Sequence, residues 1–218
     1  MCFGPVASFT ASGVLTIVGA ATLKESRTAK ERLFAAIPLL FAAHQAIEGW
    51  LWLVVGRPGQ RTLAQALTLA YILIACCLWP VVSPLSLYLL ENHSVRRRVY
   101  LWLIGFGSAT SVFLLAFILT GPYGSAAIDC SLQYYSHIPR APWLGYCYAL
   151  VVLSPFFLSS IRPIRILGIL NLIFYAVAYL RYTASLASVW CFFAAVLSLN
   201  IYFFFRWRHH RRPLPTLV

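Results

Sequence analysis

The stretch LFAAIPLLFAAHQAIEGWLWLVV, residues 33–55, runs for 23 residues with one acid, Glu48, and one imidazole, His44, in otherwise uncharged surroundings. A helix needs about 20 mostly apolar residues to cross the hydrocarbon of a bilayer. Lipid offers backbone N–H and C=O groups no partners, so a spanning segment must satisfy them internally. A continuous apolar run does this as an α-helix, whereas a barrel strand would alternate.

Six further apolar runs flank this one, at 7–23, 64–90, 99–119, 143–160, 164–180 and 184–205. The run at 164–180 is the shortest and the weakest candidate for a full crossing. The run at 64–90 contains Pro80 and Pro84 and is expected to kink or tilt. Composition points the same way: 61% of the residues are hydrophobic and 10% are charged, against about 25% charged in a soluble domain. The expected fold is all-α, a single polytopic bundle of about seven transmembrane helices over residues 1–218. An extramembrane loop lies at 121–142 and a basic tail at 206–218.

The net charge of +12 does not indicate nucleic-acid binding, because the basic residues sit in short clusters beside the apolar runs. Thirteen of the 17 fall on one side of the predicted bundle. They are Lys24, Arg27, Lys30 and Arg32; Arg96, Arg97 and Arg98; Arg162 and Arg165; and Arg206, Arg208, Arg211 and Arg212. Positive residues collect on the cytoplasmic side, so the N-terminus is expected outside and the C-terminus in the cytoplasm. The first run has its positive flank after it and reads as an anchor, not a cleaved signal.

Small residues form two stripes at helical steps: Ser8, Ser12, Thr16 and Ala20 in the first run, and Ala184, Ser188, Cys191, Ala195 and Ser198 in the last. Such stripes let helices approach closely.

Glu48 is the one acid inside any apolar run, and an ionisable group at that depth costs on the order of 2.5–3.5 kcal/mol to insert. His44 lies four residues earlier on the same helical face, with Phe41 and Trp52 on that stripe and Gln45 beside it. At 1.5 Å per residue, Glu48 sits about 6 Å outward of His44, the midpoint of its run. The pair is expected to face the bundle interior, at a polar site opening to the outer side. Three roles fit it: metal ligation with partners such as Cys2 and Cys191, acid–base or proton-relay chemistry, or a structural lock bonded to Asn171.

Cys2, Cys130, Cys147 and Cys191 fall in the outer half, where disulfides are permitted, and Cys130 with Cys147 is the pairing most easily imagined. Cys76 and Cys77 read as core filling. Arg181 is placed to hold an anionic group or to snorkel to the interface. Asp129, Tyr134, Tyr135 and His137 make the 121–142 loop a candidate cap over the outer mouth. Bis-histidine haem, a retinal-binding lysine, a His-Glu-x-x-His site, a phosphate loop and a Gly-x-Ser-x-Gly elbow have no basis in the sequence.

Met1-Cys2-Phe3, Ala7-Ser8-Phe9-Thr10, Glu48-Gly49 and Ser188-Val189-Trp190-Cys191 resemble an uncharacterised family of small bacterial multi-pass membrane proteins. Its members open Met-Cys-Phe-Ser-Ala and carry Gln-Gln-x-x-Glu-Gly in the second helix. Gly4 and His44 depart from that pattern. The resemblance implies a prokaryotic cytoplasmic membrane, and it shifts weight from His44 to Glu48, Cys2, Trp190 and Cys191. Three functions fit these residues. One is binding or transport of a small ligand or metal ion around Glu48. Another is a membrane-embedded enzyme for a lipid or lipid-linked substrate, using a cysteine with His44 or Glu48. The third is a non-catalytic accessory subunit of a membrane complex.

Overall fold

The computed structural model describes residues 4–128, 131–139 and 141–211, the side chains of 209–211 excepted. Helix α1 (Pro5–Glu25) turns into a short α2 (Ala29–Ala35), which runs on through Ala36 into α3 (Ile37–Val54). The next pass joins α4 (Arg61–Leu73), a π-helical turn (Ile74–Leu78) and α5 (Trp79–Leu90). Then come α6 (Ser94–Thr120), the strands β1 (Gly124–Ile128) and β2 (Ser131–Tyr135), α7 (Pro142–Leu158), α8 (Arg162–Arg181), a 3₁₀ turn (Thr183–Ser185) and α9 (Leu186–Arg211). Among the described residues six passes are long and apolar enough to cross a membrane, and α7 is a further apolar helix of 17 residues.

The weak pass is thus α7, not the one at 164–180. Helix α8 extends that run at both ends to 20 residues, starting on Arg162-Pro163 and ending on Arg181. Proline near the first turn costs no hydrogen bond, because its N–H would be unpaired there anyway.

Pro80 and Pro84 shape the third pass as a π turn. In π registry the Ala75 carbonyl needs the N–H of residue 80, which proline lacks. The Tyr148 hydroxyl of α7 donates to that carbonyl instead. Pro84 likewise leaves the Pro80 carbonyl without its helical donor, and α6 packs onto it through Gly107. A Cβ at residue 107 would come within 2.0 Å of the Pro80 oxygen. Ser111 of α6 donates to the Cys77 carbonyl at 2.7 Å. Neighbouring helices thereby cover what the prolines expose.

Helix α3 sits centrally, packed against α1, α4 and α9. Its Gly49 admits the Phe9 ring of α1, which would lie 2.9 Å from an added Cβ. The α1 stripe agrees with expectation at Ser8 and at Ser12, whose hydroxyl donates to the Ala42 carbonyl at 2.9 Å. Thr16 and Ala20 are exposed, and the buried face continues through Leu15, Gly19 and Thr22. Steps of four alone drift around a helix of 3.6 residues per turn, while alternating fours and threes stay on one side. The α9 stripe does alternate, and Ser188, Cys191, Ala195 and Ser198 are all buried. Ala184, in the 3₁₀ turn ahead of the helix, is exposed.

At the opposite end of the bundle from the α5–α6 and α7–α8 loops, the 121–142 loop folds into an antiparallel hairpin, with Gly124 opposite Tyr135 and Ser125 opposite Tyr134. Leu132 and Tyr134, two residues apart on one strand face, turn into the bundle, and Leu132 is fully buried against Leu51 and Val54. Tyr135 points outward.

Candidate functional site

Glu48 is 2% exposed. Ser188 of α9 donates its hydroxyl to Glu48 Oε1, and Gln45 Nε2 donates to Oε2 at 3.3 Å. The Tyr134 hydroxyl of the hairpin lies beside the same carboxylate. Three elements distant in sequence therefore converge on one acid.

His44 completes the cluster as the base of a column of rings. It lies 4.0 Å, centroid to centroid, from Tyr71 of α4, tilted by 31°. Tyr71 in turn lies flat against Tyr134. The Tyr71 hydroxyl donates to the Ala187 carbonyl at 3.4 Å and borders Cys191. Cys191, Tyr71 and Ala75 form a small buried group of their own.

Glu48 is covered at the hairpin end of the bundle. The hairpin fills the mouth, with Tyr134 over the carboxylate and Leu132 plugged against α3. Hydroxyl pairs fasten it on both sides, Thr68 with Ser125 at 2.8 Å and Ser131 with Ser185 at 2.5 Å. The 121–142 loop is thus a cap, through Tyr134; Asp129 lies outside the described residues.

Hydrogen bonding inside the cluster is incomplete. Eight buried side-chain polar atoms among the described residues lack a well-formed hydrogen bond, and four of them surround Glu48. They are both ring nitrogens of His44, which lies near a Tyr71 backbone group, Gln45 Oε1, and the Tyr134 hydroxyl, which borders Glu48 and Tyr71 without good bonding geometry. Buried polar groups are otherwise paired in folded proteins, and each one left open costs about 1–3 kcal/mol. A core built only for stability gains nothing from grouping such atoms around a carboxylate. The arrangement suits a polar guest that accepts from Tyr134, exchanges hydrogen bonds with His44 and carries positive charge toward Glu48.

The remaining sequence candidates disperse. Asn171 bonds neither His44 nor Glu48: its Oδ1 accepts from the Trp190 indole N–H at 2.9 Å. The Trp190 ring meets Tyr148 and Tyr175 edge-on. Arg181 is exposed at the end of α8, outside the cluster. Cys76, Cys77, Cys147 and Cys191 are free thiols, while Cys2 and Cys130 lie outside the described residues. Among the described residues no three His, Cys, Asp or Glu side chains are disposed to hold a metal ion. Tyr71 was invisible as a site residue in sequence, because one tyrosine in an apolar run reads as packing.

A model of a family of unknown function (DUF6629) matches residues 1–216, and the chain belongs to that family. No curated protein and no solved structure matches it.

Proposed function

We propose that this member of a family without an assigned activity binds a small polar or cationic ligand at the buried polar cluster around Glu48, beneath the β1–β2 hairpin. The observation that carries this reading is the open hydrogen-bonding capacity of His44, Gln45 and Tyr134 around one buried carboxylate. A neutral imidazole offers one donor and one acceptor, so a guest beside it can give and receive at once. The hairpin is tied by two hydroxyl pairs, one aromatic stack and the buried Leu132, and entry or exit of a guest requires their release.

The charge asymmetry supports an orientation with the hairpin outside and the Arg-rich loops in the cytoplasm, in the cytoplasmic membrane of a prokaryote. A thiol enzyme is supported less well. A nucleophilic cysteine needs a base within hydrogen-bonding reach, and Cys191 lies against Tyr71 with no hydrogen bond to His44 or Glu48. An accessory subunit gives no reason for a cluster with unpaired polar atoms.

Native mass spectrometry of the purified full-length protein in mild detergent tests the proposal. The wild type is expected to carry a bound small mass that falls at least tenfold in Glu48→Gln and in His44→Ala. An adduct-free wild type, with both variants as stable as the parent, would remove the reading.

A further inference from the structure

A cavity of about 60 Å³ lies between α3, α5, α7, α8 and α9. Its wall is apolar and aromatic, with Phe41, Trp79, Tyr148 and Trp190 prominent, and the Phe41 ring stacks on Trp79 at 4.2 Å. One water needs about 10–15 Å³ by this measure, so several atoms fit. A water also needs two to four polar partners, and the wall has almost none to spare. Ser83 donates to the Val152 carbonyl at 2.7 Å and Ser198 to the Ala195 carbonyl at 2.6 Å. The Trp190 N–H is engaged by Asn171 and the Tyr148 hydroxyl by Ala75. Two donors remain on the wall: the indole N–H of Trp79, buried and without a partner, and the Nδ2 of Asn171, whose Oδ1 alone takes the Trp190 bond.

We infer that this cavity receives the oxygen-bearing end of a lipid-soluble molecule, a carbonyl on a hydrocarbon frame, with the Trp79 indole N–H as its donor. Indole nitrogen donates and never accepts, which selects an acceptor, and the rest of the wall selects hydrocarbon. A larger cavity of about 240 Å³ shares Tyr148, Trp190 and Cys191 as a common wall and is bordered by Ile138 and Pro139 of the segment after the hairpin. The 60 Å³ cavity is distinct from the Glu48 cluster and meets it through Cys191, while Ala75 and Ala187 lie between the cluster and the larger cavity.

Thermal unfolding of the full-length protein in detergent tests the inference, with 2-undecanone and undecane compared at matched micellar mole fraction. One added hydrogen bond makes the ketone bind roughly three- to tenfold more tightly than the alkane. Trp79→Phe, which keeps a ring against Phe41, should abolish that preference, and Ala194→Phe, which fills the cavity, should abolish binding of both. Glu48→Gln should leave the preference intact, which separates this site from the other. An ester phospholipid preferred over its ether analogue, again through Trp79, would identify a bilayer lipid as the source; a preference confined to the ketone would identify a free molecule. Equal shifts for ketone and alkane, a preference surviving in Trp79→Phe, or ketone binding surviving in Ala194→Phe would overturn the inference.

Discussion

The Tyr134 ring of the hairpin lies on the Tyr71 ring of α4 with centroids 4.1 Å apart and planes 2° from parallel. This contact joins the cap to the bundle directly above Glu48. It makes the hairpin's docking measurable through one side chain.

Tyr134→Phe keeps the ring and removes a hydroxyl that borders Glu48 without a well-formed hydrogen bond. Its stability should stay within about 0.5 kcal/mol of the parent. Tyr134→Ala removes the ring and should cost about 3 kcal/mol, as aromatic truncations in packed sites do. Hydrogen exchange across 124–135 should then rise in the alanine variant and not in the phenylalanine variant. Equal exchange in both would mean that the stack does not hold the cap.

Ser188→Ala deprives Glu48 Oε1 of its donor and leaves a buried carboxylate short of a partner, a loss of about 1–3 kcal/mol. In Glu48→Gln the same serine truncation should cost less, because the amide needs less compensation than the acid. A double-mutant cycle on thermal midpoints measures the difference, and additivity would show that the two side chains do not interact.

Glu91, outside the spans, accepts from the Asn92 and His93 amides and from the amide and hydroxyl of Ser160, tying the α5–α6 loop to the α7–α8 loop. Burial pushes its carboxyl up, but these donors outweigh burial and hold it below the usual carboxylate range. The unfolded chain then binds the proton more readily, so stability rises with pH across this interval. The contribution is complete above the ordinary glutamate value of about 4.3 and is lost as pH falls through the lower folded value. Midpoints recorded from pH 3 to 7 should fall on the acid side more steeply in the wild type than in Glu91→Gln. Parallel curves would contradict this.

Tyr148→Phe leaves the Ala75 carbonyl with no donor in hydrocarbon surroundings and should destabilise by about 1–3 kcal/mol. Ser111→Ala, whose target Cys77 faces non-proline N–H groups at both residues 81 and 82, should cost less. Thermal midpoints of the two variants decide the order.

Seven helices were legible because length and hydropathy alone decide what can span lipid. The shared face of His44 and Glu48 was legible because four-residue spacing fixes it, and Glu48 is indeed buried and compensated. Other features depend on contacts between distant segments, which no periodicity encodes. Ser188 was visible only as a small residue in a stripe, yet it is the donor to Glu48. The hairpin's strands are five residues each, too short for alternation to stand out. The Asn171–Trp190 bond joins two helices whose rotation the sequence leaves open. The π turn arises from Pro80 acting on a carbonyl five residues earlier, where proline spacing alone suggests only a bend.

That turn carries a consequence for biogenesis. The Ala75 oxygen receives its proton from a residue 73 positions later in the chain, so the third span emerges from the ribosome before the donor that completes its π turn exists. Until α7 is synthesised and docks, the segment is an unfinished piece, best sheltered at a protein–lipid boundary. The order of manufacture and the order of completion therefore differ, and the fifth pass closes what the third began.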